Sequence, residues 1–169
     1  CSISNLTVGN TNAGAPAIAV TANSLTVRNC YLYGTGVGDA ITMTAGTLTA
    51  YDTRVGVGDI ELSTAPCNLS MYRCQITTDP LNTAGAFAHT MVFENCDFGG
   101  QNIQSNATLG TTLALRGCTN VSTVTHAGTG AFTFLNSQIV YINLTNAAGT
   151  IAASGGHIMA VTRAAGSFT

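Results

Sequence analysis

The sequence lacks lysine and tryptophan, and it has very few charged residues of either sign. Its 169 residues include 5 arginines and 7 acidic residues, so charged residues make up 7% of the chain and the formal net charge is −2. Ordinary globular domains carry about a quarter charged residues. A chain without a basic cluster has no surface that attracts a phosphate backbone, so we expect no nucleic-acid partner.

Long apolar runs are absent as well. Hydrophobic residues make up 46% of the chain, but no segment approaches the roughly 18 consecutive apolar residues of a transmembrane helix. We therefore expect no membrane span. High hydrophobicity with little charge is the reverse of a disordered composition. The length suits one domain over residues 1–169. Because the chain starts at Cys1 without a leader, we expect that a leader was removed or that the chain is a piece of a longer one, and we expect it to belong to a larger chain or assembly.

An internal repeat runs through the sequence. Six segments share an alternating apolar pattern that ends in a small polar pair: 25–30, 48–53, 69–74, 91–96, 113–118 and 132–137. Residues 151–156 form a weaker copy, and Cys1 with Ile3 fits the tail of an earlier one. Aligned on the last residue, the copies follow at 19 to 23 residues after a first interval of 29. We assign that longer interval to an insertion at residues 9–16. Repeats of this length are typical of solenoids.

The apolar residues within each copy recur at every second position, which predicts β-strands with one buried face. A second strand is expected in most repeats, at 18–20, 41–43, 60–62, 103–105, 124–125 and 142–144, with 84–88 as the candidate in the repeat after Cys74. The sequence therefore predicts an all-β, single-stranded parallel β-helix, or β-solenoid, of about seven to eight coils of roughly 22 residues. Its core would consist of two inward ladders, one starting at Leu25 and the other at Val27.

The repeated sequence apolar-x-apolar-x-Asn-Cys-x-apolar resembles the right-handed parallel β-helix family. Asn29, Asn95 and Asn136 match the asparagine turn ladder of that family, whereas Arg73 and Gly117 depart from it. The resemblance implies a right-handed coil. The family includes polysaccharide lyases and hydrolases, bacteriophage tail spikes and fibres, and adhesins, so it does not by itself select a function.

Five of the six cysteines occupy one repeat position, and we expect them to stack as a ladder of buried thiols: Cys1, Cys30, Cys74, Cys96 and Cys118. Stacked side chains point in the same direction, which disfavours disulfides between them, although the spacing of adjacent coils permits one. Cys67 lies outside this register and is a candidate surface thiol. The three histidines fall at different repeat phases, and no spacing typical of a zinc site occurs, so we expect no metal and no cofactor.

Asp39 and Asp59 are the best catalytic pair that the sequence offers. Each ends a copy of Gly-Val-Gly-Asp in neighbouring coils, and paired carboxylates are what glycoside hydrolysis requires. The alternative is that both are ordinary turn residues. The chain has no lysine to act as a lyase base and no tryptophan to stack on a sugar ring, so we lean against catalysis.

The outward-facing positions carry aromatic and neutral residues where a solvated strand usually carries charge. Tyr51 and Tyr72 fall in one outward column, and Tyr31 and Arg54 fall in the next. These four residues are our candidates for a contact surface. The other interpretation of this surface is a neutral one without a ligand.

Three functional hypotheses follow. The first is a non-enzymatic structural or receptor-binding β-helix, similar to a segment of a phage tail fibre or tail spike, that forms a homotrimer and contacts host glycans. The second is a polysaccharide hydrolase or lyase on the same scaffold. The third is a secreted or surface subunit whose open ends stack into a filament. These hypotheses place the chain in a virion, outside the cell or at a cell surface.

Overall fold

The structure is a computed structural model that describes residues 1–12, 14–34, 38–77, 81–83, 87–105, 110–145 and 150–163; of 81–83 and 163, only the backbone is described. These residues form twenty β-strands and no helix, so the described part of the chain contains no apolar helix of membrane-spanning length. The strands are β1 Ser2–Ser4, β2 Thr7–Gly9, β3 Ile18–Val20, β4 Ser24–Arg28, β5 Tyr31–Tyr33, β6 Ile41–Met43, β7 Gly46–Tyr51, β8 Arg54–Val55, β9 Ile60–Leu62, β10 Cys67–Tyr72, β11 Gln75–Ile76, β12 Leu81–Thr83, β13 Thr90–Glu94, β14 Ile103–Ser105, β15 Thr112–Arg116, β16 Val121–His126, β17 Ala131–Leu135, β18 Gln138–Leu144, β19 Thr150–Ser154 and β20 His157–Arg163.

All strand pairs are parallel, and each strand pairs with the equivalent strand one coil away. Sheet A has the order β1-β4-β7-β10-β13-β15-β17-β19, sheet B the order β2-β5-β8-β11, and sheet C the order β3-β6-β9-β12-β14-β16-β18-β20. Each strand of sheet A opens a coil, and we number these coils 1 to 8; from the first to the last they make about seven turns. The prediction of an all-β parallel solenoid is confirmed.

Both predicted core ladders are confirmed by the register of sheet A. The first ladder is Leu25, Leu48, Leu69, Met91, Leu113, Phe132 and Ile151, and the second is Val27, Ala50, Met71, Phe93, Leu115, Phe134 and Ala153. Phe93 is fully buried and meets Phe98 of the same coil edge to face, with ring centroids 5.2 Å apart. Coils 2 to 7 thus share one continuous apolar core, which supplies the main driving force for folding.

The turn between sheets A and B is built by a left-handed residue in every coil. The φ angles of this turn column lie between 49° and 63°, and the column consists of Asn5, Asn29, Asp52, Arg73, Asn95, Gly117, Asn136 and Gly155. Asparagine and glycine adopt this conformation with the least strain. Arg73 and Gly117, which depart from the asparagine pattern, keep the same turn geometry as their neighbours.

In coils 2 to 7 the side chain of the residue after the left-handed position contacts the carbonyl two residues before it and so stabilises the turn. The Cys30 thiol donates to the Arg28 carbonyl at 3.2 Å, and the Thr53 and Ser137 hydroxyls donate to the carbonyls two residues before them at 2.9 and 3.1 Å. The Cys118 backbone N–H in turn donates to the Ser137 hydroxyl at 3.1 Å. A thiol and a hydroxyl make the same short-range contact, which explains why cysteine, threonine and serine alternate at this position.

Register corrects two assignments made from the sequence. Ile3 pairs with Val27, so Cys1 lies opposite Leu25 and not in the cysteine column. In coil 1 the residue directly before β2 is Leu6. It corresponds to Cys30, which directly precedes β5 in coil 2. The first repeat interval is therefore 24 residues, from 6 to 30, and needs no insertion relative to the second interval of 23.

The second strand of coil 4 is also misplaced by the sequence pattern. It is β12, which pairs with β9 and β14, and not the predicted segment 84–88. Residues 84–86 lie outside the described residues, and 87–88 are not in a strand. Similarly, the inward position of coil 6 is Val121, which pairs with Ile139, while Asn120 takes a left-handed conformation.

The connection between sheets B and C shortens along the solenoid. It spans residues 10–17 in coil 1, 34–40 in coil 2 and 56–59 in coil 3, whereas in coils 7 and 8 the strands β18 and β20 run through without a break. The loss of this connection accounts for the shorter intervals of the last repeats.

Candidate functional site

A ladder of aromatic and cationic side chains lies on the outside of sheet A, at its junction with sheet B. Arg28, Tyr51 and Tyr72 are register partners in coils 2, 3 and 4. The Arg28 guanidinium lies 4.0 Å from the centre of the Tyr51 ring, and the rings of Tyr51 and Tyr72 stack with centroids 5.0 Å apart and planes inclined by 15°. The spacing follows from the ladder, because strand separation holds the outward side chains of adjacent coils at stacking distance.

A second aromatic cluster lies on sheet B. Tyr31 and Tyr33 point outward from β5 with ring centroids 5.2 Å apart, and the Arg54 guanidinium lies 5.2 Å from the centre of the Tyr31 ring. The Tyr33 ring covers Gly9, and the Tyr31 ring covers Gly56. A Cβ atom at either glycine would fall within 2.5 Å of a tyrosine atom, so these glycines are what lets the rings lie flat on the sheet.

The turn column joins the two clusters. Asp52 accepts two hydrogen bonds of 2.7 Å from the Arg73 guanidinium, one from Nε and one from Nη2. This contact lowers the pKa of Asp52 and raises the pKa of Arg73. The pair is exposed and contributes little to stability.

Arg28 and Arg54 are the two arginines of this region that form no ion pair with a described residue, although Arg28, after Arg73, helps to lower the pKa of Asp52. Both are exposed, and in the described part of the chain neither guanidinium donates a hydrogen bond to a protein acceptor. Each is nevertheless fixed over a tyrosine ring. Their N–H groups therefore face solvent in defined positions, which is what recognition of an oxygen-rich ligand requires.

All four residues predicted for the contact surface lie in this region. We call Arg28, Tyr51, Tyr72, Tyr31 and Arg54 the tyrosine–arginine face. The sequence pattern did not single out Arg28, although it places Arg28 in the outward column of Tyr51 and Tyr72, and it did not include Tyr33 in either outward column. A shallow depression of about 480 Å³ lies beside this face, with Tyr31 and Arg54 among its lining residues.

The two candidate catalytic aspartates lie at the start of neighbouring strands of sheet C. Because Ile41 pairs with Ile60, Asp39 lies opposite Gly58 and diagonal to Asp59. Asp39 accepts a 2.7 Å hydrogen bond from the Thr42 hydroxyl. The sequence analysis did not single out Glu61, which stands beside Thr42 in the next coil and interacts with Asp39.

Burial, and then the charge of Asp39 and a hydrogen bond with it, raise the pKa of Glu61. The charge of Asp59 raises the pKa of Glu61 as well. The candidate pair therefore lies in a cluster of three acidic side chains rather than standing as an isolated pair.

The structure places Cys30, Cys74, Cys96 and Cys118 in one buried column. Hydrogen bonding with the Cys118 and Cys74 thiols, followed by burial, raises the pKa of Cys96. The prediction that Cys1 belongs to this column is wrong, because Cys1 is exposed and lies in another register position.

Cys67 is fully buried, so its interpretation as a surface thiol is also wrong. It lies two positions before Leu69, the ladder residue of coil 4, and burial raises the pKa of its thiol. Two of the histidines, His89 and His126, are buried as well. Among the described residues no three histidine, cysteine or acidic side chains are arranged to hold a metal ion.

Comparison with known proteins leaves the fold as the only established property. No protein-family model, no curated protein and no solved structure matches the chain. The chain is a parallel β-solenoid of about seven turns, and its function must be argued from its own surface.

Proposed function

We propose that this chain is a non-enzymatic structural β-helix of the tail-fibre or tail-spike type, and that its tyrosine–arginine face contacts glycans of a host surface. The observation that carries the proposal is the ordered stack of Arg28, Tyr51 and Tyr72 on a chain that otherwise exposes few charged groups. Aromatic and arginine side chains held rigid before binding are typical of recognition surfaces.

The stack limits how a ligand can bind. Both faces of the Tyr51 ring are covered, one by Arg28 and the other by Tyr72. A sugar ring therefore cannot stack on Tyr51. The face instead offers phenol hydroxyls, ring edges and guanidinium N–H groups, which suits hydrogen bonding to the hydroxyl groups of a saccharide.

The binding test compares one variant from each of the two outward columns with a control variant in the column of Tyr72. Tyr72→Ala and Arg54→Gln remove a ring and a charge from the face, whereas Leu135→Ala, at the far end of the column of Tyr72, is the matched control. We expect a glycan identified on an array to lose about tenfold in affinity with either face variant, which corresponds to about 1.4 kcal/mol. Calorimetric titration measures the affinity of each variant whose circular dichroism spectrum matches that of the parent chain. Equal losses in the Leu135→Ala control would contradict the assignment of the face.

Glycan cleavage separates this proposal from the enzymatic alternative. Under the structural proposal, Asp39→Asn and Asp59→Asn leave both glycan binding and the absence of cleavage unchanged. Release of reducing ends by the parent chain, abolished by either substitution, would replace the proposal with a hydrolase or lyase.

Assembly is the second part of the proposal. We expect a homotrimer in a virion or at a cell surface. Light scattering over a concentration series should then give a fixed mass near that of three chains. A mass that grows with concentration would favour the filament, and a stable monomer would contradict both assemblies.

A further inference from the structure

Positive charge is concentrated along one edge of coils 2 to 4, where sheet A meets sheet B. Arg28 ends β4, Arg54 begins β8, and Arg73 is the turn residue of coil 4. These are three of the five arginines of the chain, and the acidic residue among them is Asp52. Three positive charges and one negative charge give this edge a formal charge of +2, although the net charge of the whole chain is −2.

The charge of Asp52 is already matched by Arg73. Each of its two carboxylate oxygens accepts a hydrogen bond of 2.7 Å from that guanidinium. This contact lowers the pKa of Asp52, so the carboxylate is ionised and paired near pH 7. The charge of Arg28 lowers the same pKa, but less than Arg73 does. Arg28 and Arg54 therefore carry the excess positive charge of the edge.

Acidic residues bound this edge on two sides. In coils 2 and 3 they lie where the chain enters sheet C: Asp39, Asp59 and Glu61. Along the rod, Glu94 follows Tyr72 in the outward column and forms an ion pair with Arg116. The excess positive charge is thus confined to coils 2 to 4, within the tyrosine–arginine face.

The depression beside the face offers hydrogen-bond donors. Asn5, Asn29, Tyr31 and Arg54 are among its lining residues. The Asn29 Nδ2 donates to the Asn5 Oδ1 at 3.2 Å, and within the described residues the side-chain N–H groups of Asn5 have no acceptor. Asp52 also lines the depression, with its oxygens engaged by Arg73 as described above. Amide, phenol and guanidinium donors therefore face a ligand that brings acceptor oxygens.

We infer that the tyrosine–arginine face selects acidic saccharides, and that Arg28 and Arg54 bind their carboxylate or sulfate groups. The inference rests on the proposed function and adds the charge of the ligand to it. A guanidinium offers a planar fork of N–H donors that matches the oxygens of either group. A neutral saccharide would leave both positive charges without a counter-charge. Two free guanidinium groups are too few to follow the phosphates of a nucleic acid, which requires a longer run of such contacts.

The tyrosine rings strengthen this kind of contact. An exposed ion pair is normally weak, because two flexible side chains must be ordered to form it. Here the Tyr51 and Tyr31 rings already hold the two guanidinium groups, at 4.0 and 5.2 Å from the ring centres. Less side-chain freedom is then lost when an anionic group binds, so more of the interaction energy contributes to affinity.

A glycan array with matched spots tests the inference. It carries saccharides with uronate, sialate and sulfate groups, each beside its neutral methyl ester or desulfated form. We expect the chain to bind acidic spots and to bind their neutral counterparts at least about tenfold more weakly. Equal binding of both members of every pair would overturn the inference and leave the proposed function standing. Binding to no saccharide would contradict both.

Three variants assign the selectivity to this face. Arg28→Gln and Arg54→Gln should each lower the affinity for the acidic saccharide about tenfold in calorimetric titration, and should reduce its advantage over the neutral form. The matched control is Arg116→Gln, which removes the same charge from the outward column of Arg28 but outside the face. The same loss in Arg116→Gln would overturn the inference, because the effect would then follow net charge alone.

Salt supplies a second readout. Raising sodium chloride from about 0.05 to about 0.5 M should weaken binding of the acidic saccharide to the parent chain, because salt screens exposed charges. The weakening should be smaller in Arg28→Gln and Arg54→Gln than in the parent chain. Binding of the acidic saccharide that does not change with salt would overturn the role of the two arginines.

Discussion

The turn column gives the sharpest test of the fold, because its backbone conformation reverses an ordinary rule of mutational stability. At most positions glycine is less stable than alanine by about 0.5–1 kcal/mol, since glycine loses more freedom on folding. Asn95 has a φ of 53° and an exposed side chain. In this left-handed conformation a Cβ atom costs about 1–2 kcal/mol, and asparagine bears the cost better than alanine.

We therefore expect Asn95→Gly to change the free energy of unfolding by less than about 0.5 kcal/mol, whereas Asn95→Ala lowers it by about 1–2 kcal/mol. For a chain of this length the loss corresponds to a decrease of about 2–8 °C in the melting temperature. Urea unfolding followed by far-ultraviolet circular dichroism measures both, since the chain has no tryptophan. The control is Thr133, an outward residue in the middle of β17, where alanine should be more stable than glycine. If Asn95→Ala proved more stable than Asn95→Gly, the proposed turn geometry would be refuted.

Three further outcomes follow from burial. Phe93→Ala should lower the free energy of unfolding by about 3–5 kcal/mol in the same urea assay. Phe87→Ala, which removes a more exposed ring, should lower it by under about 1 kcal/mol. Similar losses in the two variants would contradict the assignment of Phe93 to the core. A thiol reagent added to the native chain should react rapidly with Cys1 and reach the other five thiols only after unfolding, so a second fast thiol would contradict the burial of the column. Burial lowers the pKa values of His89 and His126 from 6.5, so the unfolded chain binds more protons below about pH 6.5 and stability falls as pH falls through this range. The urea midpoint of unfolding should therefore decrease as the pH falls, and about half of this pH dependence should disappear in His126→Leu. A midpoint that stays constant down to about pH 5 would refute the prediction.

The repeat made the fold predictable because equivalent residues of successive coils pair directly in a solenoid, so the repeat spacing determines the strand register. Spacing alone fixed which apolar residues stack, from Leu48 to Phe132. The same register brings Glu94 and Arg116 together as partners whose charged groups lie 3.9 Å apart. The assignment of Cys1 to the cysteine column was wrong because it rested on residue type alone. The pairing of Ile3 with Val27 places Cys1 opposite Leu25.

The candidate site was predictable only in part. Alternation assigned Tyr51 and Tyr72 to the outside, but it could not show that the two rings cover each other's faces. Nor could it predict the Asp52–Arg73 contact, which arises because two turn residues 21 positions apart are stacked by the coil. The burial of His89 and Ser105 gave no signal either, since these residues interrupt an apolar pattern without any local motif.

The strictly parallel stacking also has a mechanical consequence. Every described strand pairs only with strands of the coils before and after it, so tension applied between the two ends of the rod would load all the interfaces in series, and the weakest would separate first. Each coil that detaches would release roughly 22 residues, which extend to about 70 Å, in place of the roughly 4.8 Å that the coil occupied in the stack. The solenoid would therefore lengthen under load in steps of one coil each rather than in a single rupture.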